Sequence, residues 1–263
     1  MAVIPKIPRL RRGRKREVTM TLVEHLGELR TRLLVSLFAI GLGAVVGWFL
    51  YPHVFSFLKH PYCSIIAHTP QLNPFPGKRC VLVFTSVAQP FLVKIKVASF
   101  LGIGIALPVV LYEVWSFITP GLTTKERRFA LPFVLASLVL FALGAWFAFV
   151  TLPKALNFLL GFAGTKDVVA VLDIAKYISF VLLLVVVFGL SFEFPLILVS
   201  LVVVGVLTSA RLRHYRRHAI LGIAIFAAVI TPSQDWFTMT AMMVPLVVFY
   251  ELSILVSRFL LKK

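Results

Sequence analysis

The sequence predicts an all-α, polytopic membrane protein with six transmembrane helices. Three observations lead there. Sixty per cent of the 263 residues are hydrophobic and the mean hydropathy is +0.97, more apolar than the surface of a soluble domain of this length permits. The apolar residues gather into runs nearly free of charge, most of them long enough to cross a bilayer core of about 30 Å as about 20 helical residues. The remaining charges, 27 Lys and Arg against 10 Asp and Glu, stand in short clusters between the runs. Clusters between spans are the footprint of membrane topology rather than of a nucleic-acid face, so no nucleic-acid partner is expected.

Taken in order, residues 1–18 form a basic arm, expected in the cytoplasm against lipid headgroups. Its RLRRGRKR stretch holds paired arginines, but no export-signal consensus follows them. The transmembrane domain occupies 19–258, and 259–263 is a short cytoplasmic tail. Its first run, Leu33–Tyr51, exceeds the apolar core of a secretory signal and has no small-x-small cleavage site after it, so it is expected to stay as a span. The others are Val97–Trp115, Phe129–Leu152, Tyr177–Leu207, Ala219–Ile230 and Trp236–Val256.

Two runs have unusual lengths. Tyr177–Leu207 would extend about 46 Å as a helix, more than one perpendicular crossing needs. A single crossing nevertheless keeps the Arg211–Arg217 cluster on the same side as the N-terminal, Lys125–Arg128 and C-terminal clusters. The positive-inside bias makes that side the cytoplasm and places both termini there. One tilted or bent helix is therefore expected, with Pro195 as its kink. Ala219–Ile230 reaches only about 18 Å, which predicts a short hairpin of the last two helices beside thinned lipid.

The segment from Pro52 to about Gln89 is rich in proline and reads as a long outer loop. It carries the only two cysteines, Cys63 and Cys80, on the oxidising face. Two readings stand: a disulfide closing a short loop, or two free thiols.

No GxSxG, HExxH, phosphate-loop or dinucleotide motif occurs. The histidines, His25, His53, His60, His68, His214 and His218, fall in expected loops or at span ends rather than mid-span. No enzyme, metal site or other cofactor is expected. There is no sign of the repeated halves found in many small-solute transporters.

The ten acids are the informative minority. Glu24 and Glu28 stand at the entrance of the first span in EHLGELRTRL, and Glu28 and Arg32 have the favourable i,i+4 order of a helix-surface ion pair. Glu126 fits a capping box opened by Thr123. Glu113 and Glu251 lie near inner-side span ends and read as structural. Glu193 is different. It falls inside the fourth run, where a charged carboxylate costs at least about 2.5 to 3.5 kcal/mol, so it must face protein or water and is functional by default.

With these segments placed, the chain resembles the TatC family, the signal-receptor core of the twin-arginine protein translocase. The matching stretches are HLGELRTRL (25–33), LPVVLYEVWSFITPGLTTKERR (107–128), PKALNFLLGF (153–162), YISFVLLLVVVFGLSFEFP (177–195) and TPSQD (231–235), in family order. The resemblance implies a glove-shaped, six-helix protein of a bacterial-type cytoplasmic (inner) membrane that binds twin-arginine signal peptides of folded cargo. It would recruit single-span TatA and TatB proteins and use the proton-motive force. By motif position it places signal-peptide binding on Glu28 and Glu126 with Arg30, Phe117 and Arg128, an intramembrane polar site on Glu193, and further functional positions at Pro61 and Asp235. The lipid bilayer and a homo-oligomer complete the expected partners. The basic arm and the cysteine-bearing segment look like additions to the pattern, and Glu113 stands where the resemblance would more often place glutamine.

Chemistry independently favours the same use of Glu28 and Glu126. Paired carboxylates accept the planar donor fork of a guanidinium in a geometry that the point charge of lysine does not reproduce. The rival reading is a proton-coupled small-solute transporter with Glu193 as its relay.

Overall fold

The computed structural model describes residues 22–68, 80–118, 130–161, 171–233 and 235–259. The basic arm of 1–18, the last residues of the tail, Glu126 and Arg128 lie outside them. Among the described residues the chain folds almost entirely into helices. These are α1 (Leu22–His68), α2 (Gln89–Ile118), α3 (Ala130–Gly161), α4 (Ile174–Phe192), α5 (Phe194–Val203), α6 (Ser209–His214), α7 (Arg216–Ile230) and α8 (Trp236–Phe259).

The outer loop expected from Pro52 does not begin there. Helix α1 runs on through Pro52 and Pro61 for 47 residues, about 70 Å of helix and far more than a bilayer requires. The reason is a hydrophobic stripe. Val54, Phe55, Leu58, Tyr62, Ile65 and Ile66 recur at helical spacing, and Leu58, Tyr62, Ile65 and Ile66 are buried. The Tyr177 hydroxyl of α4 also donates to the Leu58 carbonyl at 2.8 Å. Each proline removes one intrahelical bond, but packing along the stripe holds the helical path. A disulfide joins Cys63 to Cys80, with Cα atoms 5.3 Å apart.

Helices α2 and α3 likewise outrun their charge-free stretches, α2 starting at Gln89 and α3 continuing through Pro153 to Gly161. Charges mark where lipid ends, and helical hydrogen bonding continues beyond that boundary.

The long fourth run is one path interrupted near its expected proline. Helix α4 ends and α5 begins at Glu193, with Pro195 in the first turn of α5. Pro195 has no N–H to continue the ladder, and its ring crowds the preceding turn. Five stretches are long and apolar enough to cross a membrane among the described residues: His25–Ala67, Gln89–Phe117, Leu131–Gly161, Ile174–Val203 and Trp236–Phe259. Helix α7, with 15 residues, is the short element anticipated from 219–230, whereas α8, with 24 residues, is long enough to span, so the expected short hairpin is short in one arm only. The base of α7 is tied to α8 where Arg216 Nη2 donates to Glu251 Oε2 at 2.6 Å, and α6 is tied to α8 where the Tyr250 hydroxyl donates to the Leu212 carbonyl at 2.6 Å.

Helix α4 is the most enclosed, with Ile178, Val181, Leu184 and Phe188 fully buried. The outer faces of the other helices present Phe38, Phe49, Leu131 and Trp146, as expected of surfaces that meet lipid. Where helices touch, small residues allow it. A Cβ on Gly102 would stand 2.6 Å from the Ala44 nitrogen, and one on Gly144 would stand 2.6 Å from the Phe188 carbonyl oxygen. With lipid as apolar as the side chains, such backbone approach is a main source of helix association.

Candidate functional site

The N-terminal part of α1 and the C-terminal part of α2 meet at one end of the bundle. The rings of His25 and Phe117 stack with centroids 4.2 Å apart and planes within 12°. About two turns along α1 from His25, Arg32 lies between two carboxylates. Its Nε donates to Glu28 Oε1 at 3.1 Å, its Nη2 donates to the same oxygen, and its Nη1 donates to Glu113 Oε2 at 2.9 Å. The i,i+4 pair foreseen from spacing is thus made, and it acquires a second acid from 81 residues away.

All three side chains are only partly exposed, Glu28 at 21%, Arg32 at 23% and Glu113 at 16%. They line a cavity of about 420 Å³ with Gly27, Thr31 and Val35. Glu28 Oε2 is buried and has no hydrogen-bond partner among the described residues; His25 Nδ1 lies 3.9 Å from it, an ion pair only when that imidazole is protonated. A buried acceptor without a partner is costly to a fold and inviting to a donor.

The other predicted residues fall variously. Arg30 is exposed; two positions from Glu28 on a helix, it projects from nearly the opposite face. Phe117 joins the cluster through His25. Glu113, expected to be structural, is the residue brought to this cluster that spacing does not reveal. Its clues in the sequence are its place near a span end on the same membrane side as Glu28 and its departure from the glutamine that the resemblance would more often place there.

Glu193 sits at the α4–α5 break and faces the Ser137 hydroxyl of α3. Trp115 Nε1 of α2 donates to the same hydroxyl at 3.3 Å, so three helices contribute to one polar spot within the spans. Glu193 Oε1 is buried and lacks a hydrogen-bond partner among the described residues.

Asp235 caps α8, accepting from the Thr238 N–H at 2.8 Å and the Thr238 hydroxyl at 2.6 Å. Burial works against its charge, but these bonds and others from Ser233 and the Phe237 N–H outweigh it, holding the carboxyl below its ordinary range. Pro61 is buried within α1, its carbonyl accepting from the Ser64 hydroxyl at 2.8 Å.

The fold and site define a class: a polytopic helical membrane protein with acidic side chains at one end of the bundle and a carboxyl at a helix break within its spans. The chain belongs to the TatC family. The family model for "Sec-independent protein translocase protein (TatC)" matches residues 24–245. Proteins named Sec-independent protein translocase protein TatC are 43% identical over 240 residues in Frankia casuarinae, covering 90% of this chain and 65% of that relative, and 39% identical over 246 residues in Aquifex aeolicus, covering 93% and 97%. A crystal structure of the twin-arginine translocase receptor TatC in DDM superposes with a TM-score of 0.73 at 38% identity, covering 89% of this chain and 99% of that one. These relatives are protein-translocase proteins by name, and the small-solute transporter reading finds no support in them.

Proposed function

We propose that this chain is the signal-peptide receptor and core subunit of a twin-arginine translocase. The arginine pair of a signal peptide docks on Glu28 and Glu126, with Phe117, Arg30 and Arg128 around them. The observation that carries this is Glu28: a half-buried carboxylate with one oxygen unsatisfied among the described residues, beside a cavity, in a family whose crystallised member is described as a receptor.

Guanidinium offers two parallel N–H donors to a carboxylate, and an ammonium does not, so such a site selects arginine over lysine. The apolar part of the signal then lies along the helices toward Glu193. Glu193 hydrogen-bonds a polar group on the signal or on a single-span TatA or TatB helix, which the low-dielectric setting strengthens. The short α7, beside α8, thins the bilayer nearby and favours assembly of those partners. No covalent bond is made or broken; the work is recognition and assembly, driven by the proton-motive force. The protein resides in a bacterial-type inner membrane with both termini in the cytoplasm, as the distribution of Lys and Arg favours. Pro61 and Asp235 act in this reading through the shape of α1 and the start of α8.

The test is binding of a fluorescent twin-arginine signal peptide and its Lys-Lys version to vesicles bearing the wild-type protein, Glu28→Gln or Glu126→Gln. Binding of the arginine peptide is expected to fall in both variants and for the Lys-Lys peptide. Equal binding throughout would remove the receptor site.

A further inference from the structure

We propose that Glu113 is a specificity-determining residue of the guanidinium site, sharing the protein's own Arg32 with Glu28 so that Arg32 does not neutralise it. The inference rests on the receptor reading of Glu28 and adds to it a residue that the motif positions do not name.

Arg32 presents to Glu28 the same chemical group that an arginine-bearing ligand would bring. If Glu28 were its sole partner, the pair would be neutral, and the Arg32 fork would be free to take both carboxylate oxygens. Glu113 competes for that arginine. It takes Arg32 Nη1 at 2.9 Å, while both contacts from Arg32 to Glu28 fall on Oε1 and Oε2 is left with no hydrogen bond among the described residues. The cluster of Glu28, Arg32 and Glu113 then carries one net negative charge beside a cavity of about 420 Å³. One carboxylate balances the internal arginine, and the other remains to balance an incoming one. The partly buried setting makes that balance matter, since screening by water and salt is weaker there than at a free surface.

Glu113→Gln is a sharp probe because the amide keeps the side-chain length and an acceptor oxygen for Arg32 while removing the charge. The measurement is binding of the fluorescent twin-arginine peptide to vesicles bearing wild type, Glu113→Gln, Glu113→Asp, Glu113→Gln with Arg32→Gln, and Glu28→Gln. Glu113→Gln should bind about tenfold more weakly, and removing Arg32 as well should bring binding back to within about threefold of wild type. Glu113→Asp, which keeps the charge, should bind nearly as wild type does. The proposal is overturned if Glu113→Gln binds like wild type, if its loss is not relieved by Arg32→Gln, or if Glu113→Asp loses as much as Glu113→Gln. Retained binding in Glu28→Gln would instead overturn the receptor reading itself, so the two failures are distinct.

Discussion

Asp173 at the head of α4 accepts a hydrogen bond at 2.9 Å from the side-chain amide of Gln89 at the head of α2, 84 residues earlier. The same carboxylate accepts from the Thr85 hydroxyl at 3.0 Å and caps α4 through the N–H groups of Ala175 and Lys176. Beside it, Val83 N–H donates to the Leu172 carbonyl at 3.1 Å, and Ile174 N–H donates to the Val83 carbonyl at 2.8 Å. This latch closes the end of the bundle opposite the Glu28 cluster.

The latch has a pH signature. The Lys176 N–H and the Gln89 amide lead the contacts that hold the Asp173 carboxyl below its ordinary value of 3.8. A group depressed in the folded state stabilises it above its unfolded pKa and loses that contribution as pH falls through the folded value. Wild type should therefore melt higher than Asp173→Asn in detergent at neutral pH, and the two should converge on acidification below about pH 4. Thermal unfolding across pH checks it; a constant difference would remove the carboxylate from the latch.

Reduction should loosen the same end. Cys63 and Cys80 are 17 positions apart, and closing a loop of that size is worth about 3 kcal/mol in the chain-entropy account. Reductant should lower wild-type resistance to denaturant to that of Cys63→Ser with Cys80→Ser, and should leave that double variant unchanged.

Gly102 admits no larger side chain without moving α1. Gly102→Val should destabilise by at least about 1 to 3 kcal/mol, because its Cβ would meet the Ala44 nitrogen at 2.6 Å. Gly104, with nothing near its Cβ position, is the control: Gly104→Val should melt far closer to wild type in the same detergent assay.

Glu193→Gln should leave signal-peptide capture intact while weakening transport of folded cargo or assembly with single-span partners. Peptide binding and vesicle transport measured on one preparation separate the two, and unchanged transport would argue against a role for this carboxyl.

Much of the fold was legible because lipid imposes a strong rule: apolar runs bounded by charge mark most of the long helices, and Pro195 marked the break at Glu193. The same rule concealed the second half of α1. Prolines and the end of the charge-free run suggested a loop, whereas the stripe through Leu58, Tyr62 and Ile65 reports packing against other helices, which a hydropathy window does not weigh. At the candidate site, Glu28 and Arg32 were legible as neighbours because they share one helix with i,i+4 spacing.

The sequence alone determined that the chain is a helical membrane protein, where most of its spans lie and which acids are scarce enough to matter, since each follows from transfer of side chains between water and lipid. Only the tertiary structure decided that Arg32 is shared with Glu113, that Glu193 sits at a break facing Ser137, and that Asp173 and Gln89 close the far end. Those pairings depend on how separate helices cross, and crossings are set by small residues and surface shape along whole helix faces, which no local spacing encodes.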